Sequence, residues 1–193
     1  MNTVAPTLVD RIHDALDATG AIVAGIGDTQ LGLPSLCPGW DVGFELNHLV
    51  GGLRVFAAEL THTDPGGDHH DDWLGTCHRT AYAAAAHLDR DAWSRPGALD
   101  TTVRLGFGPM PGRMAALIHL TEILVHGIDL AVVTGQRHLI DERQADYLLT
   151  VMRSMDFDAF RHPGIFGPAR PSSADAPAHD RLLTFLGRST SAA

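Results

Sequence analysis

The stretch AALIHLTEILVHGI, from Ala115 to Ile128, decides the fold of this chain. Glu122 is its only formally charged residue, and apolar side chains occupy nearly every face of a helix drawn through it. A helix with this composition is expected to be buried on most of its sides. The sequence therefore predicts a core helix from about Arg113 to Thr134, around which the rest of the chain packs.

Four polar side chains interrupt this apolar helix at spacings of three, four and three residues: His119, Glu122, His126 and Asp129. These spacings place all four on one stripe of an α-helix. A buried carboxylate is costly unless it is paired or bound to a cation. Two interpretations stay open. In the first, Glu122 pairs with a protonated His126 on a wet surface, or two core histidines are satisfied by backbone carbonyls. In the second, Glu122 and His126 are metal ligands one turn apart.

Helical periodicity also dominates the sequence on both sides of the core helix. Alternating residues near 101–105 permit one short extended piece, too small to form a sheet domain. Four long helices, with a crossover loop between the third and the fourth, predict an all-α antiparallel bundle that forms one domain over 1–193. The other predicted helices are one from Leu8 that stops at Gly25, one capped by Asp41, one over 73–88, one capped by Asp141 and a short last one over 180–186.

Composition limits the classes of function. The chain has 193 residues with 45% apolar and 19% charged residues, which excludes a disordered protein. Its 14 basic residues, all arginine, face 23 acidic ones, and the net charge of −9 argues against nucleic acid and anionic membranes as partners. Two cysteines are too few for a disulfide framework. Without a basic, then apolar leader or an apolar run of about 18 residues, the sequence predicts a soluble cytoplasmic protein.

His48 lies in the segment NHLVGGLRVF on the second predicted helix, at the border of its apolar stripe. A single histidine in such a place is more often a core residue than a ligand. With Glu122 and His126 on another helix, however, His48 completes a set of two imidazoles and one carboxylate. Zinc takes such sets and keeps a fourth position open in catalytic sites. The same donors suit Ni, Fe or Mn.

Three segments resemble a known family: CPGWDVGFELNHLVGGL at 37–53, TEILVHGIDLAVVTGQ at 121–136 and FGPARPSSADAPAHDRLLTFLGR at 166–188. They are similar to the DinB-like superfamily and, within it, to short single-domain members of the mycothiol-dependent maleylpyruvate isomerase N-terminal-domain family. The resemblance implies a four-helix bundle with short C-terminal helices. It also implies one divalent metal, usually zinc, and its ligands fall here on His48, Glu122 and His126.

Resemblance and residue pattern together predict a metal-dependent enzyme of the thiol-transferase or isomerase type. Its metal would activate a small thiol, mycothiol by resemblance, or a water molecule against an electrophilic substrate. The alternative is a non-catalytic metal- or ligand-binding bundle of stress or regulatory type, and a third interpretation is metal-assisted hydrolysis without a thiol. Bundles with apolar outer faces often pair, so a homodimer is one expected assembly.

Several other residues have two interpretations each. Asp129 either orients His126 or bonds a neighbouring loop at the helix end. His119 is expected to be a nearby polar residue, with a fourth ligand or proton carrier as the alternative, and Cys37 to be a buried structural thiol. The loop 68–72, DHHDD, is expected to be solvated, and Arg54 to lie at the surface unless it binds a substrate carboxylate. Three aromatic residues are predicted to pack in the core: Trp40, Phe44 and Phe56.

Overall fold

A computed structural model describes residues 5–69, 71–106, 108–162 and 165–190. Most of them are helical, with one two-stranded antiparallel hairpin, so the predicted all-α, DinB-like bundle is confirmed. The elements are α1 (Leu8–Gly25), α2 (Val42–Thr61), α3 (His78–Trp93), β1 (Thr102–Leu105), β2 (Gly108–Pro111), α4 (Gly112–Val133), α5 (Glu142–Arg153) and α6 (Ala178–Phe185).

Helix α4 lies at the centre of the molecule, as its sequence predicts. Residues such as Leu120 and Ile123 belong to a hydrophobic cluster with α1, α2 and α3, which we call the bundle core. Leu124 and Ile128 belong to a second cluster with α5 and α6, which we call the outer core. The two clusters explain why nearly every face of α4 is apolar. The helix is long and apolar enough to cross a membrane, but most of it is buried inside the protein, as in the core helix of a soluble protein.

The crossover loop connects α2 to α3 and comprises residues 62–77. It returns along α2, because the backbone N–H of Trp73 donates to the Asn47 side chain at 2.8 Å near the start of that helix. At the other end, the rings of Phe56 on α2 and Trp93 on α3 lie 6.5 Å apart. Helices α2 and α3 are therefore parallel, and a long connection is needed to join them.

Two predictions about this region were wrong. The crossover does not lie between the third and fourth helices, where the chain instead forms the β1–β2 hairpin. The third helix does not begin at Trp73 but five residues later, at His78. The reason is local, because the Asp72 carboxylate accepts the backbone N–H groups of Leu74 and Gly75, and Gly75 has a left-handed φ of 54°. These features make a turn where helical periodicity alone suggested a helix.

Gly127 allows α1 and α4 to approach closely. A Cβ atom at Gly127 would lie 2.3 Å from Oγ1 of Thr19, whose hydroxyl donates to the Ile123 carbonyl at 3.3 Å. We expect Gly127→Val to lower the free energy of unfolding by about 1–3 kcal/mol, because the added methyl groups force the helices apart. Urea unfolding measures this loss. Gly32→Val is the control, since nothing lies within 4 Å of a Cβ there, and an equal loss in both variants would contradict the close-approach argument.

Candidate functional site

Three side chains from two helices meet at one point, and we call them the histidine–glutamate triad: His48 from α2, and Glu122 and His126 from α4. Oε2 of Glu122 lies 3.3 Å from Nε2 of His48 and 3.3 Å from Nε2 of His126. The three donor atoms all lie within 4.8 Å of one another. The four-residue spacing on α4 sets Glu122 and His126 side by side, and the packing of α2 against α4 adds His48.

The two distances from Glu122 fit those between ligands of a tetrahedral metal. Metal bonds of about 2.0–2.2 Å at tetrahedral angles hold ligand atoms about 3.3–3.6 Å apart. Direct N–H···O hydrogen bonds are usually shorter, near 2.9–3.0 Å. Two imidazole nitrogens and one carboxylate oxygen are also a donor set that zinc takes with a fourth position open. The residues present therefore fit the divalent metal that the sequence resemblance implies.

His126 contacts carboxylates through both ring nitrogens. Its Nε2 faces Glu122, while its Nδ1 lies 2.7 Å from Oε1 of Glu45, a carboxylate on α2 with no exposed surface. The hydroxyl of Ser35 donates to the other oxygen of Glu45 at 2.5 Å. Sequence reasoning missed Glu45. The available signal was its position one turn before His48, which puts both residues on one face of α2.

Asp129 does not orient His126. Its Oδ2 accepts a 2.5 Å hydrogen bond from Nε of Arg188, and Nη2 of the same guanidinium lies 3.1 Å from Sγ of Cys37. The second interpretation of Asp129 is thus confirmed, because it bonds a neighbouring segment. Burial raises the pKa of Asp129, and the Arg188 charge acts in the opposite direction. Glu45 occupies the place beside Nδ1 of His126 that the sequence analysis considered for Asp129.

A second cluster of metal-binding side-chain types lies directly behind the triad. It comprises Cys37, Glu45, His126 and Asp129, all buried, with donor atoms within 4.8 Å of one another, and their donor types could hold a metal ion. The guanidinium of Arg188 already contacts Cys37 and Asp129 there, so the cluster contains a fixed positive charge. The imidazoles of the triad, in contrast, line a cavity. The triad is therefore the more accessible of the two sets of donor atoms.

The neighbouring charges shift the pKa values of Glu122 and His126 in opposite directions. Burial acts to raise the pKa of Glu122, but hydrogen bonds and charge from His126 and His48 outweigh it and hold that pKa well below its usual range. For His126 the signs reverse: burial acts to lower its pKa, yet contacts with Cys37, Glu122 and Glu45 raise it well above its ordinary value. A metal would replace protons that these groups otherwise share, so its binding releases protons.

The triad lines a cavity of about 950 Å³. Helix α4 and the segment before α2 form one side, and residues 165–168 and 186–189, which we call the C-terminal wall, form another. The ring of Trp40 stacks on His126 at 5.8 Å and lies 4.9 Å from the His48 ring. Trp40 thus lines the site and Phe44 is 44% exposed, so their prediction as core residues was wrong. Phe56 is buried as predicted.

His119 lies outside this site. Its Nε2 is 2.8 Å from Oδ2 of Asp89 on α3, in the bundle core, and its ring packs between those of Phe56 and Trp93. The pair explains why a polar residue occurs there on an apolar helix, since Nε2 of His119 and Oδ2 of Asp89 are hydrogen-bond partners. Cys37 is buried as predicted, and burial raises the pKa of its thiol.

The segment 68–72, considered as a further site, lies within the crossover loop, which also contacts Arg54 of α2. Arg54 stacks over the Trp73 ring at 4.7 Å and donates to the Pro65 carbonyl at 3.4 Å, so it binds this loop. His69 lies with Nε2 3.0 Å from the backbone oxygen of His48. His70 lies outside the described residues. The loop therefore covers α2 beside His48.

Fold and site together define a DinB-like helical bundle in which α2 and α4 surround one point with two histidines and a glutamate. The chain belongs to the mycothiol maleylpyruvate isomerase N-terminal domain family, whose pattern matches residues 12–131. Two relatives, each named an uncharacterized protein, come from two strains of Mycobacterium tuberculosis. Each is 33% identical over 176 residues, which is 90% of this chain and 93% of the relative. No solved structure matches the chain.

Proposed function

We propose that this protein is a cytoplasmic, divalent-metal-dependent enzyme of the thiol-transferase or isomerase type, with the metal held by His48, Glu122 and His126. The observation that carries the proposal is the position of Glu122, whose Oε2 lies 3.3 Å from the Nε2 atoms of both histidines. Zinc is the proposed ion because two imidazoles and a carboxylate are among its preferred donors. Nickel, iron and manganese accept the same set.

The proposed substrates are a small thiol and an electrophilic small molecule. A bound zinc ion supplies Lewis acidity, which lowers the pKa of a thiol or water in its open position. A volume of about 950 Å³ leaves room for both reactants, since small-molecule sites usually occupy about 300–1,000 Å³. Trp40 covers one side of the triad, with its ring 4.9 Å from that of His48 and 5.8 Å from that of His126. Mycothiol is the proposed thiol because the description of the family names it.

Metal content and thiol consumption test this proposal. We expect the purified protein to bind one equivalent of zinc and to consume mycothiol in the presence of members of an electrophile panel. A chelator should stop the reaction and added zinc should restore it. A metal-binding protein that consumes no thiol would favour the non-catalytic alternative. A rate that does not change when thiol is added would favour hydrolysis, and failure to bind any divalent ion would contradict the metal centre.

A further inference from the structure

Glu45 is a fully buried carboxylate that sits behind the triad. It lies on α2, one turn before His48, and both of its oxygens have partners. Oε1 lies 2.7 Å from Nδ1 of His126, and Oε2 accepts the Ser35 hydroxyl. A buried carboxylate without such partners would be strongly destabilising, so the fold has to supply both of them.

The bond to Glu45 determines which nitrogen of His126 faces the cavity. An ionised carboxylate only accepts hydrogen bonds, so the proton of this contact is on Nδ1 of His126. When the ring gives up its second proton, the lone pair is therefore left on Nε2, the nitrogen that lies 3.3 Å from Glu122. Histidines that bind metals generally donate their other N–H to a carboxylate or carbonyl, which fixes the ring and increases the basicity of the ligating nitrogen.

Glu45 is itself held by the segment that precedes α2. The Ser35 hydroxyl, which donates to Glu45, also accepts the backbone N–H of Cys37 at 2.9 Å. The backbone N–H of Ser35 donates to the carbonyl of Trp40 at 3.0 Å. The same short segment therefore fixes the carboxylate and supplies Cys37 and Trp40 to the wall of the cavity. Asp129, the nearest competing carboxylate on α4, is committed to Arg188.

We propose that Glu45 is the positioning residue for the metal centre: its carboxylate holds His126 with Nδ1 protonated and Nε2 free to bind the ion. This inference rests on the proposed function, since it assumes that the triad binds a metal. In this role Glu45 contacts the metal ligand His126 and does not contact the substrate.

The test compares the wild type with Glu45→Gln, Ser35→Ala and Glu59→Gln. Glu59 is the matched control, because it lies on the same helix and accepts the Arg104 backbone N–H away from the triad. Zn²⁺ affinity is measured by competition with a chromophoric chelator, and Co²⁺ is used to record the visible absorption spectrum of the site. In Glu45→Gln the affinity should fall about 10- to 100-fold and the Co²⁺ spectrum should change. Ser35→Ala should cause a smaller loss, and Glu59→Gln should match the wild type.

NMR of the metal-free protein gives a readout that is independent of metal binding. The wild type should show a slowly exchanging, low-field proton on Nδ1 of His126. In Glu45→Gln this proton should move upfield and exchange faster, because a neutral amide oxygen is a weaker acceptor than a carboxylate. The absence of this proton in the wild type, or a Zn²⁺ affinity of Glu45→Gln equal to that of the wild type, would overturn the role of Glu45. If Glu45→Gln does not fold, the wild-type proton and Ser35→Ala decide the question. Failure of the wild type to bind Zn²⁺ or Co²⁺ overturns the proposed function, whereas the NMR result still decides whether Glu45 holds the ring.

Discussion

Glu122→Gln is expected to abolish stoichiometric metal binding while the helices stay folded. The substitution keeps the shape of the side chain but removes the carboxylate that lies 3.3 Å from both imidazoles of the triad. Glu45 cannot replace it, because that carboxylate lies on the opposite side of the His126 ring, at Nδ1. We expect Zn²⁺ affinity to fall by more than about 100-fold. This loss is larger than that expected for a residue that only orients a metal ligand. Chelator competition measures the affinity, and circular dichroism checks the fold.

Two further variants show whether the loss is specific to the triad. His48→Ala should lose metal to a similar extent, because His48 supplies its ligand from the other helix. His119→Gln should bind metal like the wild type, although His119 lies on the same stripe of α4, because its partner is Asp89 in the bundle core. Full metal loading of both Glu122→Gln and His48→Ala would show that the ion binds elsewhere.

Arg188→Met is expected to destabilise the protein by about 3–5 kcal/mol, because it leaves a buried carboxylate without its counter-charge. The Asp129 side chain is completely buried, the Arg188 side chain is 10% exposed, and their 2.5 Å contact joins α4 to the C-terminal wall. The substitution also removes the guanidinium contact to Cys37. Urea unfolding measures the free energy of unfolding of both proteins, and an unchanged m-value would show that the difference is a loss of stability.

A double substitution separates the loss of stability caused by the unpaired charge from the loss caused by missing packing contacts. Arg188→Met combined with Asp129→Leu should recover most of the stability, since replacing a whole buried ion pair by apolar side chains is often neutral. Arg143→Met is the surface control, because Arg143 is almost fully exposed and its pair with Asp141 should contribute no more than about 1 kcal/mol. If Arg188→Met costs no more than this control, Asp129 is not held by a buried charge pair.

The part of the site that the sequence predicts correctly is the part encoded locally. The spacing of Glu122 and His126 places them on one side of α4, and the apolar character of that helix shows that it is central. Capping by Asp41 and Asp141 was also predicted correctly, because an N-cap depends on residues only two or three positions away. The contact of His48 with Glu122 and His126 could be predicted only with the family resemblance, or seen in the folded structure.

The features that sequence reasoning missed depend on contacts between distant residues. Glu45 pairs with a histidine 81 residues away, and Asp129 pairs with an arginine 59 residues away. Both carboxylates stand one turn from a triad histidine, so spacing alone could not decide which one reaches His126. The crossover was misplaced for the same reason, because only the parallel packing of α2 and α3 shows which connection must be long.

The division of α4 between the bundle core and the outer core has a consequence for how related proteins diverge. The triad lies on α2 and α4, whereas Phe166 and Leu186 of the C-terminal wall pack in the outer core with α5 and α6. Mutations can therefore enlarge, narrow or recharge the mouth of the cavity without moving the three donor atoms. Descendants of one ancestral bundle can in this way acquire new specificities while inheriting an unchanged triad.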